Sequence, residues 1–267
     1  MQLIIGISLG ILIAALAWKA GALNRSGAAA AAVSGGLVFG LGGLPWATLL
    51  LTFFISSSAL SRAFSKRKLA LSEKFSKGHQ RDWGQVLANG GLGALLVIVH
   101  TLLPNEIWPW VAFSGAMAAV NADTWATELG VLNPSAPRLI TNGQQVERGT
   151  SGAISLWGSL AALGGAMLVG TSAILFRVGA VPIALFGSVI LGGLAGSFFD
   201  SFLGATVQSI YWCPNCQKET ERYPLHLCGT QTIQQRGWPW LDNDWVNFGA
   251  SVIGALAAVV VYLLLAS

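Results

Sequence analysis

Three carboxylates lie within otherwise apolar stretches of this chain, and their neighbours are amides and hydroxyls. Asp123 and Glu128 belong to NADTWATELG, residues 121 to 130, and Asp200 belongs to FDSFLGATVQ, residues 199 to 208. At 100° per residue, Asn121, Asp123, Thr124, Thr127 and Glu128 share a helical arc of about 160°, whereas Ala122, Trp125, Ala126 and Leu129 fill the rest. Ser197, Asp200, Ser201, Gly204 and Gln208 fall within about 100°. Asp82, Gln85, Asn89 and Gly93 form a third stripe, and Asp244, Asn247 and Ser251 a fourth. Carboxylates with oxygen and amide neighbours in a partly wet pocket suit Mg²⁺, a hard ion that keeps waters and shares its shell with phosphates. The structural alternative is interhelical hydrogen bonding, which serves the Ser, Thr, Asn and Gln members better than it serves the acids.

Two further constellations carry chemistry. Residues 141 to 152, TNGQQVERGTSG, end in a Gly149-Thr150-Ser151-Gly152 turn ahead of an apolar run. Free N–H groups and hydroxyls at a helix N-terminus accept an anion, although they also serve as a simple cap. Cys213 and Cys216, then nine residues, then His226 and Cys228 give two close pairs of soft ligands and use every cysteine of the chain. That pattern matches a closed tetrahedral Zn²⁺ site with no open position, so its expected work is structural.

The elements that must position these groups are membrane helices. Hydrophobic residues make up 54% of the chain and charged ones only 10%, which excludes an ordinary soluble domain. The expected fold is all-α: one membrane domain over 1–267 with about eight spans at 2–22, 27–44, 45–61, 84–103, 107–130, 151–176, 180–210 and 245–266. The chain is glycine-rich, with 33 residues placed largely inside the spans, where small side chains let helices approach closely. Seven of the fifteen Lys and Arg lie between Arg62 and Arg81, so the basic loop 62–82 is expected to be cytoplasmic. Counting spans from there puts the loop 131–150 and the zinc-clip segment 211–244 on the same side, together with all four polar stripes. The net charge of +4 comes with no nucleic-acid motif and is read as lipid and orientation charge. A parallel internal repeat is suggested by Ser26-Gly27-Ala28 against Ser151-Gly152-Ala153, Phe53 to Ser56 against Phe198 to Ser201, and Asp82-Trp83 against Asp244-Trp245.

These motifs, with Arg148 to Gly152 and NDWVN at 243 to 247, resemble the integral-membrane family that contains plant phytyl-phosphate kinase of vitamin E synthesis and animal transmembrane protein 19. The resemblance implies phosphoryl transfer from a nucleoside triphosphate, CTP by expectation, to an isoprenyl monophosphate such as phytyl or geranylgeranyl phosphate. On that reading Asp123, Glu128 and Asp200 hold Mg²⁺. Thr141, Gly143, Arg148, Gly149, Thr150, Ser151 and Gly152 meet the nucleotide phosphates, and Lys66, Lys77, Arg81 and Asn89 meet the lipid phosphate. Asp82 or Asp244 is left to orient the acceptor. The expected location is a bacterial cytoplasmic or thylakoid membrane, with the site facing the cytoplasm. Polar groups on glycine-rich helices also describe a transporter of a small or lipid-linked anion, and a zinc segment alone also describes an assembly protein.

Overall fold

In hydrocarbon every backbone polar group must be satisfied within its own segment, so a chain this apolar folds into long helices. The computed structural model describes residues 1–64, 80–176 and 181–267. Its helices are α1 (Gln2–Lys19), α2 (Arg25–Ala63), α3 (Trp83–Leu102), α4 (Trp108–Gly130), α5 (Leu156–Ile174), α6 (Pro182–Thr206) and α7 (Asn243–Ala266). All but α4, six in number, are long and apolar enough to cross a membrane.

The expected spans 27–44 and 45–61 form one run of 39 residues, interrupted at Gly43, whose φ of 69° and ψ of −161° are not helical. A straight helix of that length would reach roughly 58 Å, about twice the hydrocarbon thickness. Instead the chain doubles back. The first arm packs Gly36 and Gly40 against α1 at Gly10 and Gly6. At the end of the second arm, Arg62 donates to the carbonyl of Ala20, just ahead of the start of α2. Pro45 then sits in the first turn after the break, where its missing N–H costs nothing.

Helix α4 is the axis of the bundle. It is buried from Pro109 through Ala122 and is packed by α2, α3, α5, α6 and α7. Small residues make this possible: a Cβ on Gly115 would lie 2.4 Å from the Ala258 Cβ, and one on Gly196 would lie 2.4 Å from the Ala119 Cβ. Near the N-terminus of α4 the core is closed by aromatics, with Trp46 centred 5.4 Å from Trp110 and 4.6 Å from Phe113. Apolar side chains of α1 and α7, among them Ile4, Leu12, Leu263 and Leu264, point outward.

The two ends of the bundle start their helices differently. At the end where α4 finishes, α2, α3, α5 and α7 begin on side-chain caps from Asn24, Asp82, Ser155 and Asp242. At the opposite end α1, α4 and α6 begin with no side-chain cap, and α4 and α6 carry Pro in the first turn. Polar capping thus gathers on one side.

Two small antiparallel sheets amend the all-α expectation. Strands β1 (Arg138–Leu139) and β2 (Ala153–Ile154) pair in the connection before α5. Strand β3 (Ile210–Cys213) lies between β4 (Lys218–Thr220) and β5 (Ile233–Arg236) in the connection before α7. Because β2 intervenes, α5 starts at Leu156 and not at 151. Two landmarks of the suggested repeat therefore sit in unlike places. Ser26 is in the first turn of α2, but Ser151 precedes a strand; Asp82 is an N-cap, but Asp244 lies inside α7 after its cap Asp242.

Candidate functional site

A cavity of about 1210 Å³ opens at the end of the bundle where α1, α2, α4 and α6 finish and α3, α5 and α7 begin. Helix α4 contributes Asp123, Thr127 and Glu128, and α6 contributes Ser197, Asp200 and Ser201. Arg81, Gln85 and Asn89 face it from the start of α3, and Asn243 and Asn247 from the start of α7. The turn Arg148 to Gly152 closes another side. The carboxylates that the helical arcs place on common faces therefore share one volume.

Each charged group has identifiable supports. Glu128 is 5% exposed and its Oε1 accepts a hydrogen bond from Ser61 Oγ at 2.7 Å. Arg81 is fixed through its backbone: its N–H donates to the Ala22 carbonyl and its carbonyl accepts from Asn24 N–H, both at 3.0 Å. Its guanidinium lies 5.2 Å from the Phe53 ring centre and 5.7 Å from that of Phe54. Burial lowers the Arg81 pKa to about 10 while the charge of Glu128 works in the opposite direction, so the group stays a cation at neutral pH. Asp200 is different. Its Oδ2 is shielded from solvent and has no hydrogen-bond partner among the described residues, and both Asp123 and Glu221 lie within electrostatic reach. Like charges gathered with an unpartnered oxygen are relieved by a proton or by a bound cation, and oxygen ligands of this kind fit a hard divalent ion.

Asn121 plays the structural part. Its Oδ1 accepts from Ser56 Oγ at 2.8 Å and Ser57 Oγ at 3.1 Å, and its Nδ2 donates to the Gly165 carbonyl at 2.9 Å. It ties α4 to α2 and α5, as the interhelical reading of the stripe anticipates.

The turn before α5 does not cap that helix. Ser155 does, accepting from Gly158 N–H at 3.1 Å. Thr150 and Ser151 instead face the cavity from the β1–β2 connection, and Ser151 Oγ donates to Gln208 Oε1 at 2.7 Å. Gly152, with φ of 83°, passes so close to α6 that a Cβ would lie 2.3 Å from the Ala205 nitrogen. Arg148 donates to the carbonyls of Asn133 and Pro134, at 2.7 and 3.0 Å.

Four of the expected site residues lie away from the cavity lining. Thr141 and Gly143 are exposed at the tip of the β1–β2 connection, where Asn142 Oδ1 accepts from Gln144 N–H and completes a tight turn. Asp82 forms a capping box with Gln85, accepting from its N–H at 3.0 Å, and Asp244 lies in the first turn of α7. Lys66 and Lys77 fall outside the described residues. Glu221, by contrast, lines the cavity and was not signalled by any motif.

In the segment that carries Glu221, the ligand atoms of Cys213, Cys216, His226 and Cys228 all lie within 4.8 Å of one another. Cys213 Sγ is 3.6 Å from Cys228 Sγ, which is 3.2 Å from His226 Nδ1. Tetrahedral Zn–S bonds of about 2.3 Å require sulfur atoms about 3.8 Å apart, so the donor set fits zinc. Hydrogen bonding to Thr230, and next to His226, brings the Cys228 thiol down to about 5, whereas the bond with Cys228 pushes the Cys216 thiol up to about 12. A bound dication would replace the proton that this crowding leaves on Cys216.

Long apolar helices around a polar cavity at one end, with a Cys/His cluster in the connection before α7, define an integral membrane protein of the helix-bundle type. The model of the family described as integral membrane protein DUF92 matches residues 8–255, and the chain belongs to that family. It is 32% identical to Protein PGR of Arabidopsis thaliana, over 98% of each chain. It is also 30% identical to an uncharacterized membrane protein of Methanocaldococcus jannaschii, covering 98% of this chain and 95% of the other. A membrane protein of Synechocystis is 29% identical over 82% of this chain and 77% of its own. No solved structure matches the chain.

Proposed function

We propose that this protein is a membrane phosphotransferase that uses a nucleoside triphosphate, with CTP the expected donor, to convert an isoprenyl monophosphate to its diphosphate. The observation that carries the reading is the convergence of Asp123, Glu128 and Asp200 with Arg81 and the Gly149 to Ser151 turn on one cavity. Phosphoryl transfer asks for positioning and charge neutralisation more than for covalent chemistry. Mg²⁺ held by the three carboxylates would neutralise charge on the donor phosphates. Gly149, Thr150, Ser151 and Arg148 then contact those phosphates, and Arg81 and Asn89 hold the acceptor phosphate. An acceptor oxygen bonds to the γ-phosphorus as the bond to the β,γ-bridging oxygen breaks, releasing the nucleoside diphosphate. Ile13, Leu51 and Phe54 on the cavity wall offer the prenyl chain an apolar surface. Eight passes result if the two arms of α2 each cross the membrane, and the basic loop 62–82 supports a cytoplasmic orientation for the cavity.

The volume exceeds the roughly 300–1,000 Å³ of common ligand pockets, in keeping with two substrates. Transport is the rival reading. The aromatic closure around Trp46 and Trp110, opposite the acids, favours a one-sided site. The deciding experiment incubates purified protein with Mg²⁺, each of the four nucleoside triphosphates, and phytyl, geranylgeranyl or farnesyl monophosphate, followed by mass detection of the diphosphate. Product that disappears in Asp123→Asn and Asp200→Asn supports the proposal. No product with any pair, or full activity in both variants, refutes it.

A further inference from the structure

Glu221 reaches the cavity from outside the helices. In sequence it lies midway between Cys216 and His226, the inner members of the two metal-ligand pairs, yet it lines the same volume as Asp123 and Asp200. Gln208 Nε2 donates to its Oε1 at 3.1 Å, and the same amide's oxygen accepts from Ser151. Gln208 is 1% exposed, so one buried amide joins the end of α6, the turn before α5 and the Cys/His segment.

The segment is clamped where it must be for this contact to form. Arg236 Nη1 donates to the Gly204 carbonyl at 2.8 Å, and Trp238 N–H donates to the Val207 carbonyl at 2.9 Å. Strand β3 carries Cys213 and pairs with both β4, which leads into Glu221, and β5, which carries Arg236. Beyond Glu221 the chain is tied by Thr232, whose Oγ1 donates to the Arg222 carbonyl at 3.0 Å, before it presents His226 and Cys228 to the other two ligands. A metal joining the two ligand pairs therefore closes a loop whose inner part is Glu221.

We infer that Glu221 is a fourth carboxylate of the cavity, a positioning residue supplied by the metal clip, so that metal in the clip raises the affinity of the cavity for a divalent cation. The inference rests on the proposed cation site of Asp123, Glu128 and Asp200. A carboxylate within electrostatic reach of Asp200 adds attraction for a cation, and it does so only while the loop holds it there. Outer ligands of this kind commonly change metal affinity by about 10- to 100-fold.

The test is Mn²⁺ binding to the purified full chain, followed by electron paramagnetic resonance, with zinc content measured in parallel. Glu221→Gln should bind Mn²⁺ at least about tenfold more weakly while keeping its zinc. Cys216→Ser should lose zinc and weaken Mn²⁺ binding by a similar factor, and the double variant should be no weaker than Glu221→Gln alone. Glu219→Gln, one residue before Thr220, should bind as the unsubstituted chain does. Unchanged Mn²⁺ affinity in Glu221→Gln, additive losses in the double variant, or an equal loss in Glu219→Gln overturns the inference. An unsubstituted chain with no Mn²⁺ site overturns the cavity reading beneath it, so the two failures are distinguishable.

Discussion

Replacing Gly152 with alanine should separate the placement of the turn from its conformation. The residue has φ of 83°, where a Cβ costs about 1–2 kcal/mol. That Cβ would also lie 2.3 Å from the Ala205 nitrogen and 2.5 Å from the Ala205 Cβ, contacts no real side chain tolerates. Relieving them must move the turn or the end of α6, and such overpacking adds about 1–3 kcal/mol. The combined cost is about 2–5 kcal/mol. Gly143 provides the comparison, since its φ of 70° is similar but a Cβ there meets nothing within 4 Å. Gly143→Ala should therefore show only the conformational part. At roughly 2–4 °C per kcal/mol for a chain of this size, Gly152→Ala should lower the apparent unfolding midpoint by about 4–20 °C and Gly143→Ala by about 2–8 °C. Scanning both purified variants at one heating rate measures the difference. Equal midpoints would refute the close approach of the turn to α6, and with it the delivery of Thr150 and Ser151 to the cavity.

Asp200→Asn should raise the unfolding midpoint of protein stripped of divalent cations, because it removes a like charge beside Asp123 and Glu221. The same variant should lose Mg²⁺-dependent turnover, so a thermal scan in chelator and a product assay should move in opposite directions. Asn121→Leu should destabilise the bundle by about 1–3 kcal/mol, through loss of its bonds to Ser56, Ser57 and Gly165. Its expected signature is a lowered midpoint with Mn²⁺ affinity kept; unchanged stability would contradict its role in tying α2, α4 and α5.

What the sequence could show depended on how local each signal was. Helical periodicity put Asp123, Glu128 and Asp200 on common faces because each arc is set within a few turns of one helix. The two Cys/His pairs were readable for the same reason. The β1–β2 pairing was not, since strands of two residues leave no alternation, and this moved the start of α5 to Leu156 and the Gly149 to Gly152 turn off the helix. Asp82 belongs to a polar stripe, but Asp82 and Gln85 also have the spacing of a capping box, and that is the contact they make. Glu221 could not be found from its neighbours at all. Only the clamping of the Cys/His segment by Gly204, Val207 and Gln208 carries it to the cavity, and those contacts cross between separate elements.

The helix that bears Asp123 and Glu128 is also the one that falls short of the apolarity needed to cross a membrane by itself. Its wall of neighbours is therefore a requirement of biogenesis as well as of stability. Helix α4 depends on α5, α6 and α7 to shelter its polar face, so the cavity end is complete only once α7 is packed against it. A truncation that removes α7 should accordingly leave α4 outside the membrane or open to degradation, even though every acid proposed to hold the cation lies upstream of the cut.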